Sequence, residues 1–256
     1  MKIGVQTYTV REYLKDEKGI ESSLRRIKEI GFNMVQLSGL GPCNIDKLAG
    51  WIKEIGIEVC GSHDPWERLS EPAELKKLIE EYKKLGASHV GIGMMPGVFP
   101  NTYDGYSAFI KKVKEICKQI AGEGMSFGYH NHDFEFQKFN GTRAIDRLID
   151  ECPDLYFILD VFWVQAGGRN PCEYIEKLKG RIKLIHFKDY RVADRKRQFA
   201  EIGEGNLEWD KIVPLCEKNG IPWAVIEQDA DYLSDPFQSL ALSRKFLADG
   251  GWFTQS

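Results

Sequence analysis

The stretch Phe127-Gly-Tyr-His-Asn-His-Asp-Phe-Glu135 places two histidines two residues apart at the end of an apolar run. In an extended strand successive side chains point to opposite faces, so His130 and His132 share one face and Asn131 takes the other. Three further apolar runs end on a residue type that can bind a metal: Tyr156-Phe-Ile-Leu-Asp160, Ile182-Lys-Leu-Ile-His186 and Trp223-Ala-Val-Ile-Glu227. One polar strand tip is ordinary, but four in succession point to a shared site. Imidazole and carboxylate donors together suit one divalent metal ion, Mn, Mg, Co or Zn, without selecting among them. The expected ligands are Asp160, His186, Glu227 and one of His130 or His132.

Side chains on four separate strands meet only if the strand ends converge. The chain repeats one phrase throughout: a charged amphipathic helix, a Gly, then a short apolar strand. Leu24 to Gly31 leads into Phe32 to Leu37, Ile52 to Gly56 into Ile57 to His63, and Tyr82 to Gly86 into Ser88 to Gly93. Ile120 to Gly124 leads into Met125 to Tyr129, Leu148 to Pro153 into Leu155 to Asp160, Leu178 to Gly180 into Ile182 to His186, and Cys216 to Gly220 into Trp223 to Glu227. Each Gly suits the left-handed turn past a helix C-terminus. With Lys2 to Gln6 these make eight strands, at spacings of roughly 25 to 40 residues, which argues for parallel βα units. The expected fold is α/β, a single (β/α)8 TIM barrel spanning residues 1–256, with its active site at the C-terminal strand ends. No GxGxxG follows the first strand to support an open doubly wound sheet.

Two helix starts are signalled by Ser70-Glu-Pro-Ala-Glu and by Asn170-Pro-Cys-Glu, a polar cap followed by an early Pro. The segment Asp189 to Asn206 reads as an extended loop over the barrel mouth. Its cluster Arg191, Arg195, Lys196 and Arg197 reads as a solvated face rather than a phosphate clamp. His63, in Gly61-Ser-His-Asp-Pro-Trp66, closes the third strand and points to the mouth as a substrate contact. Lys188 shares the face of His186 and reaches substrate oxygen, whereas Asp189 faces away and anchors the loop. Trp66, Trp163 and Phe162 supply either an apolar wall for a sugar ring or lid packing, and Trp66 joins His63, His132 and Lys188 as a substrate-binding candidate. His89 begins the fourth strand, away from the mouth, and reads as a core or surface histidine.

Length and composition agree with this picture. A chain of 256 residues is ordinary for one α/β barrel, and 43% hydrophobic with 29% charged residues describes a soluble globular protein. A net charge of -3, with Lys and Glu mixed along the helices, offers no basic field for nucleic acid. Six scattered cysteines without CxxC read as reduced thiols in a cytoplasmic protein. Met1-Lys-Ile-Gly-Val-Gln opens directly into a strand without an apolar signal region, and no stretch is long enough to span a bilayer, so no membrane partner is expected.

These motifs resemble the xylose-isomerase-like TIM-barrel superfamily, often labelled sugar phosphate isomerase/epimerase. The resemblance covers nearly the whole length and rests on Ile3-Gly-Val-Gln-Thr-Tyr-Thr-Val-Arg11, Tyr129-His-Asn-His-Asp-Phe-Glu-Phe136, Leu159-Asp-Val-Phe-Trp163 with its Ala-Gly-Gly, Arg181-Ile-Lys-Leu-Ile-His-Phe-Lys-Asp189 and Ile202-Gly-Glu-Gly205. It implies one divalent metal held by Glu, Asp, His and Glu from strands five to eight. The last three fall on Asp160, His186 and Glu227, but His130 stands where the family has Glu in a Glu-x-His pattern.

The resemblance also implies a reaction that moves a proton with two carboxylates. With His130 in place of one, either the imidazole of His132 shares catalysis with Glu227, or Glu135 reaches in, or one base suffices. The implied substrate is a small-molecule carbohydrate. A metal chelated by its carbonyl and neighbouring hydroxyl acidifies the intervening C–H and stabilises an enediolate. The leading expectation is an isomerase or epimerase on a small keto sugar or polyol derivative. A lyase or dehydratase on a 3-keto sugar or inosose-like ring is the second, and a catalytically inactive sugar-binding protein the third. The same resemblance implies a homodimer or homotetramer.

Overall fold

The computed structural model describes residues 1–253; positions 254–256 of the expected 1–256 domain lie outside the described residues. Eight parallel strands form the barrel: β1 (Lys2–Gln6), β2 (Met34–Leu37), β3 (Glu58–Ser62), β4 (His89–Ile92), β5 (Ser126–His130), β6 (Tyr156–Asp160), β7 (Ile182–Phe187) and β8 (Trp223–Ile226). Their hydrogen-bonded order is β3-β2-β1-β8-β7-β6-β5-β4. Across the remaining seam the Asp64 amide, just past the end of β3, donates to the carbonyl of Gly91 within β4 at 2.9 Å. The result is a nearly closed TIM barrel, with helices between the strands.

The strands read as near-continuous apolar runs because both faces are covered. Alternate residues face outward into the large core beneath the helices. Inside the barrel, Met34, Cys60, Ile158, Leu184 and Val225 form a separate small core. Glycines on neighbouring strands give Ile158 its room: a Cβ on Gly91 would lie 2.4 Å from Ile158 Cδ1 and 2.6 Å from the Ser62 carbonyl oxygen. One pleat above this layer the same strands turn Gln36, Asp160, His186 and Glu227 inward, joined by His130 above Gly128. The site therefore stands on a packed apolar floor.

The helix ends follow the glycine signals, with positive φ at Gly31, Gly56, Gly86, Gly124, Gly180 and Gly220. Asn170 caps the helix Pro171–Lys177 by accepting from the Cys172 amide. Ser70 does not cap the next helix. It ends a short helix, Trp66–Ser70, and Glu71 occupies the cap position of Pro72–Lys84 without a side-chain bond.

The expected extended loop after β7 is instead an antiparallel hairpin, Asp189–Ala193 paired with Lys196–Ala200. Asp194 and Arg195 turn it with φ of 49° and 62°, the left-handed pair that a two-residue hairpin turn requires. Charged side chains at its tip hide the strand pattern. Asp189 roots the hairpin as expected: its carboxylate accepts from the amides of Gly203 and Leu207 and from Trp209 Nε1. His89 lies at the opposite end of the barrel from the strand tips, 4.7 Å from the Trp223 ring and hydrogen-bonded to Ser126. The six cysteines are free, and no helix among the described residues is long and apolar enough to cross a membrane.

Candidate functional site

The ends of β5 to β8 bring His130, Asp160, His186 and Glu227 together in the buried interior, with one donor atom from each lying within 4.8 Å of the others. His130 Nδ1 is 2.9 Å from the Gly93 carbonyl oxygen. A carbonyl only accepts, so this assigns the proton to Nδ1 and leaves Nε2 as a bare lone pair. Nε2 lies 3.5 Å from Asp160 Oδ2, and neither buried atom has a hydrogen-bond partner. Two acceptors facing each other out of water are unfavourable unless a cation or proton lies between them.

His186 completes the group. Its Nδ1 is 2.8 Å from Glu227 Oε2 and its Nε2 is 2.6 Å from Gln36 Oε1. The Gln36 amide is oriented by its neighbours: its nitrogen donates to the Ser62 carbonyl, and its oxygen also accepts from Gln6 Nε2. Asn131, directly after β5, clamps the Asp160 backbone, accepting from its N–H and donating to its carbonyl. Asp160 Oδ1 in turn caps the helix Val161–Ala166 through the Trp163 amide, which leaves Oδ2 as its inward-facing oxygen. Two imidazole nitrogens and two carboxylates, including an orphaned facing pair, fit a divalent ion.

Lys188 is the cation these carboxylates face. Its buried Nζ lies 2.8 Å from Asp229 Oδ2, 3.1 Å from Glu227 Oε2 and 3.6 Å from Asp160 Oδ2. Burial by itself lowers the Lys188 pKa, but attraction to Glu227, Asp160 and Asp229 more than reverses this and raises it. Burial pushes Glu227 upward, yet Lys188 and His186 hold its carboxyl well below the usual range. Asp160 is raised, chiefly by burial. Burial and neighbouring imidazoles lower His63, and they hold His130 and His132 at about 3, so these rings are neutral near pH 7.

Above the cluster opens a cavity of about 360 Å³, lined by Tyr8, Arg11, Ser38, His63, Gly93, Met94, His130, His132, Lys188, Glu227 and Asp229. That volume suits a ligand of monosaccharide size. His63 stacks 5.4 Å from the His186 ring, and its Nε2 is buried without a partner. His132 lies 4.8 Å from His130, stacks on Phe134 at 5.1 Å, and also has an unpartnered nitrogen, Nδ1. The Trp163 ring is 5.3 Å from Lys188 Nζ, whereas Phe162 packs under the hairpin against Tyr190 and Phe199.

Two candidates are placed elsewhere. Trp66 begins a helix beyond β3 and turns into the outer core against Phe99 and Phe109, so it does not line the mouth. Glu135 is fully buried away from the mouth; its oxygens accept from the Tyr129 hydroxyl at 2.5 Å and the His132 amide at 2.7 Å. Sequence reasoning missed Gln6, Gln36, Asp229 and Arg11. Arg11 spans the rim, donating to the backbone carbonyls of Tyr8 and Asp229. The basic residues of the hairpin do not line the cavity. A larger open groove of about 1050 Å³ surrounds His89 at the other end of the barrel, but none of the four clustered residues lines it.

The sequence model of the family described as xylose isomerase-like TIM barrel matches residues 24–249. Among curated proteins the chain is similar to an inosose dehydratase of Clostridium beijerinckii, 24% identical over 156 residues that cover 54% of this chain and 52% of the relative. The chain thus spans about half the length of the curated relatives it matches. Among solved structures it is similar to a sugar phosphate isomerase/epimerase of Parabacteroides distasonis, with TM-score 0.79, 23% identity and 99% of each chain covered. It is also similar to an L-ribulose 3-epimerase, with TM-score 0.74, 16% identity, and 98% of this chain and 94% of that one covered. At these identities the structural likeness shows a shared fold.

Proposed function

The chain belongs to the xylose isomerase-like TIM barrel family, and from that premise we propose that it is a divalent-metal-dependent isomerase or epimerase acting on a small keto sugar or polyol derivative. The observation that carries the reading is the facing pair of unpartnered acceptors, His130 Nε2 and Asp160 Oδ2, beside His186 and Glu227. These four residues would hold one ion of Mn, Mg, Co or Zn. Such an ion, when bound, polarises a carbonyl and eases loss of the neighbouring proton, an effect worth several kcal/mol.

The protein's own groups supply the rest. Glu227, kept ionised by Lys188 and His186, is the base on the β8 side of the mouth. His132, on the β5 side, offers an unpartnered imidazole nitrogen. Two proton-handling groups on different sides of a 360 Å³ cavity suit removal from one face and return to the other. Lys188 orients substrate oxygen, and the ring of Trp163 beside it excludes water.

A lyase is the second reading, favoured by the Lys188 ammonium lying 3.1 Å from Glu227. A fixed ammonium there suits holding the negative charge that develops on a departing hydroxyl while Glu227 takes the proton, and the curated relatives are named inosose dehydratases.

The test is elemental analysis of the purified protein beside His186→Ala and Glu227→Ala, followed by NMR of keto sugars and inososes incubated with it in deuterated water. About one equivalent of metal, lost in both variants, with deuterium entering recovered substrate or its epimer, supports the first reading. Loss of water from the substrate supports the second. No metal even after Mn2+, Co2+ and Zn2+ are supplied sinks both.

A further inference from the structure

We propose that Tyr129 and Glu135 form a positioning clasp, locked behind β5, which fixes the tautomer and aim of His130 and the backbone of His132. Tyr129 and His130 are neighbours on the strand, so their side chains leave from opposite faces. Both nevertheless reach the loop that follows β4. From inside the barrel, His130 Nδ1 donates to the Gly93 carbonyl at 2.9 Å. From outside, the Tyr129 hydroxyl accepts from the Met95 amide at 3.0 Å. The same hydroxyl donates to Glu135 Oε1 at 2.5 Å, and Glu135 Oε2 accepts from the His132 amide at 2.7 Å.

These contacts close a ring that runs from His130 through Gly93, Met94 and Met95 to Tyr129, Glu135 and His132, and back along the chain through Asn131. The Tyr129 and Glu135 side chains are completely buried. A buried carboxyl is expensive to desolvate, and an apolar pair would fill the same space at less cost. What the polar pair provides is direction. It holds the 93–95 peptides where the Gly93 carbonyl demands a proton on His130 Nδ1, and so leaves Nε2 bare toward Asp160.

The inference rests on His130 belonging to the centre proposed above, but one of its readouts needs no metal. Long-range proton–nitrogen NMR of the chelator-treated protein reports the His130 tautomer, calorimetry with Mn2+ reports affinity, and the melting temperature reports fold. The wild type should show the Nδ1–H tautomer. Tyr129→Phe, which removes only the hydroxyl, should populate Nε2–H and weaken Mn2+ binding by about 10-fold, the low end of the range seen when direct outer partners of metal ligands are lost, because Tyr129 acts through the 93–95 peptides. Glu135→Gln, which keeps the shape, should do the same more mildly, and carries the test should Tyr129→Phe not fold.

A lowered melting temperature with unchanged tautomer and unchanged affinity would reduce the pair to packing and overturn the inference. A wild type that holds the Nδ1–H tautomer, loses it in the variants, and yet binds no Mn2+ would sustain the clasp while removing the metal-dependent function.

Discussion

Replacing Lys188 by Met tests the electrostatics of the centre because stability and metal affinity should move in opposite directions. Met preserves the apolar stem beside Trp163 and Phe199, 5.3 and 5.5 Å from Nζ, and deletes only the charge. The ammonium lies between 2.8 and 3.6 Å from three carboxylates. At an effective dielectric of about 20, each contact is a gross attraction of about 5 kcal/mol. Most of that offsets desolvation, and removing one partner of such a buried set typically destabilises by about 3 to 5 kcal/mol.

A divalent ion placed among Asp160 and Glu227 feels the same ammonium as repulsion. Deleting a unit charge at about 4 Å relieves about 4 kcal/mol per unit of ionic charge before screening and proton uptake. Retaining a third of the one-unit figure gives roughly tenfold tighter binding.

Urea unfolding with chelator and with saturating Mn2+, together with calorimetric titration, reads both effects. The expected result is a variant less stable than wild type in chelator, rescued by Mn2+, with a dissociation constant at least tenfold lower and turnover lost. The pH dependence has a definite sign. Without Lys188 the already raised pKa values of Asp160 and Asp229 climb further. A carboxyl whose folded pKa is raised gives stability at low pH that is lost as pH rises through that value, so the deficit should shrink between pH 8 and pH 5. Equal destabilisation with and without Mn2+, and affinity unchanged or weaker, would refute the reasoning.

Other perturbations address single links. Gln36→Leu removes the acceptor at His186 Nε2, 2.6 Å away, and should weaken Mn2+ binding by about 10- to 100-fold in calorimetry while the fold persists. Glu135, whose pKa burial raises to about 7 from 4.5, favours the folded state below about pH 4.5 and loses that contribution as pH climbs to 7. Its size is about 3 kcal/mol, so the wild-type stability measured relative to Glu135→Gln by urea unfolding should be greater at pH 5 than at pH 8 by about that amount. Gly91→Ala would press a methyl to within 2.4 Å of Ile158 Cδ1 and 2.6 Å of the Ser62 carbonyl. It should destabilise by about 1 to 3 kcal/mol or more, read by denaturant unfolding.

The barrel and the four clustered residues were legible because both depend on a short period. Apolar runs with glycine at the preceding helix end mark β2, β3, β4, β5, β7 and β8, and a tip residue inherits the inward face by alternation. Reasoning failed where alternation stops. Glu135 lies beyond β5 in the one-turn helix Phe134–Phe136, and Trp66 opens the helix Trp66–Ser70. The helix after β3 swings Trp66 off the inward face that alternation from Ser62 assigns, whereas Glu135, an odd number of residues from His130, lies with Tyr129 on the outward face that alternation itself gives it. The hairpin after β7 failed differently, since exposed charges carry no apolar alternation for a pattern to find.

The omissions Gln6, Gln36 and Asp229 had a signal in the sequence. Glu227 and Asp229 repeat the two-residue spacing of His130 with His132 and of His186 with Lys188, so each of these strand ends is followed two positions on by a second polar residue. Gln6 ends an apolar run and Gln36 sits one residue from the end of another, which places their buried amides beside the four clustered residues by the alternation that found Asp160. Alternation thus identifies which residues share the mouth. Their pairing follows from donor and acceptor valence: Gln36 must turn its oxygen to His186 because Ser62 offers its nitrogen only a carbonyl, and His130 must present a bare nitrogen to Asp160 because Gly93 does the same. Two backbone carbonyls, neither of them visible as a residue type, therefore set the polarity of the centre.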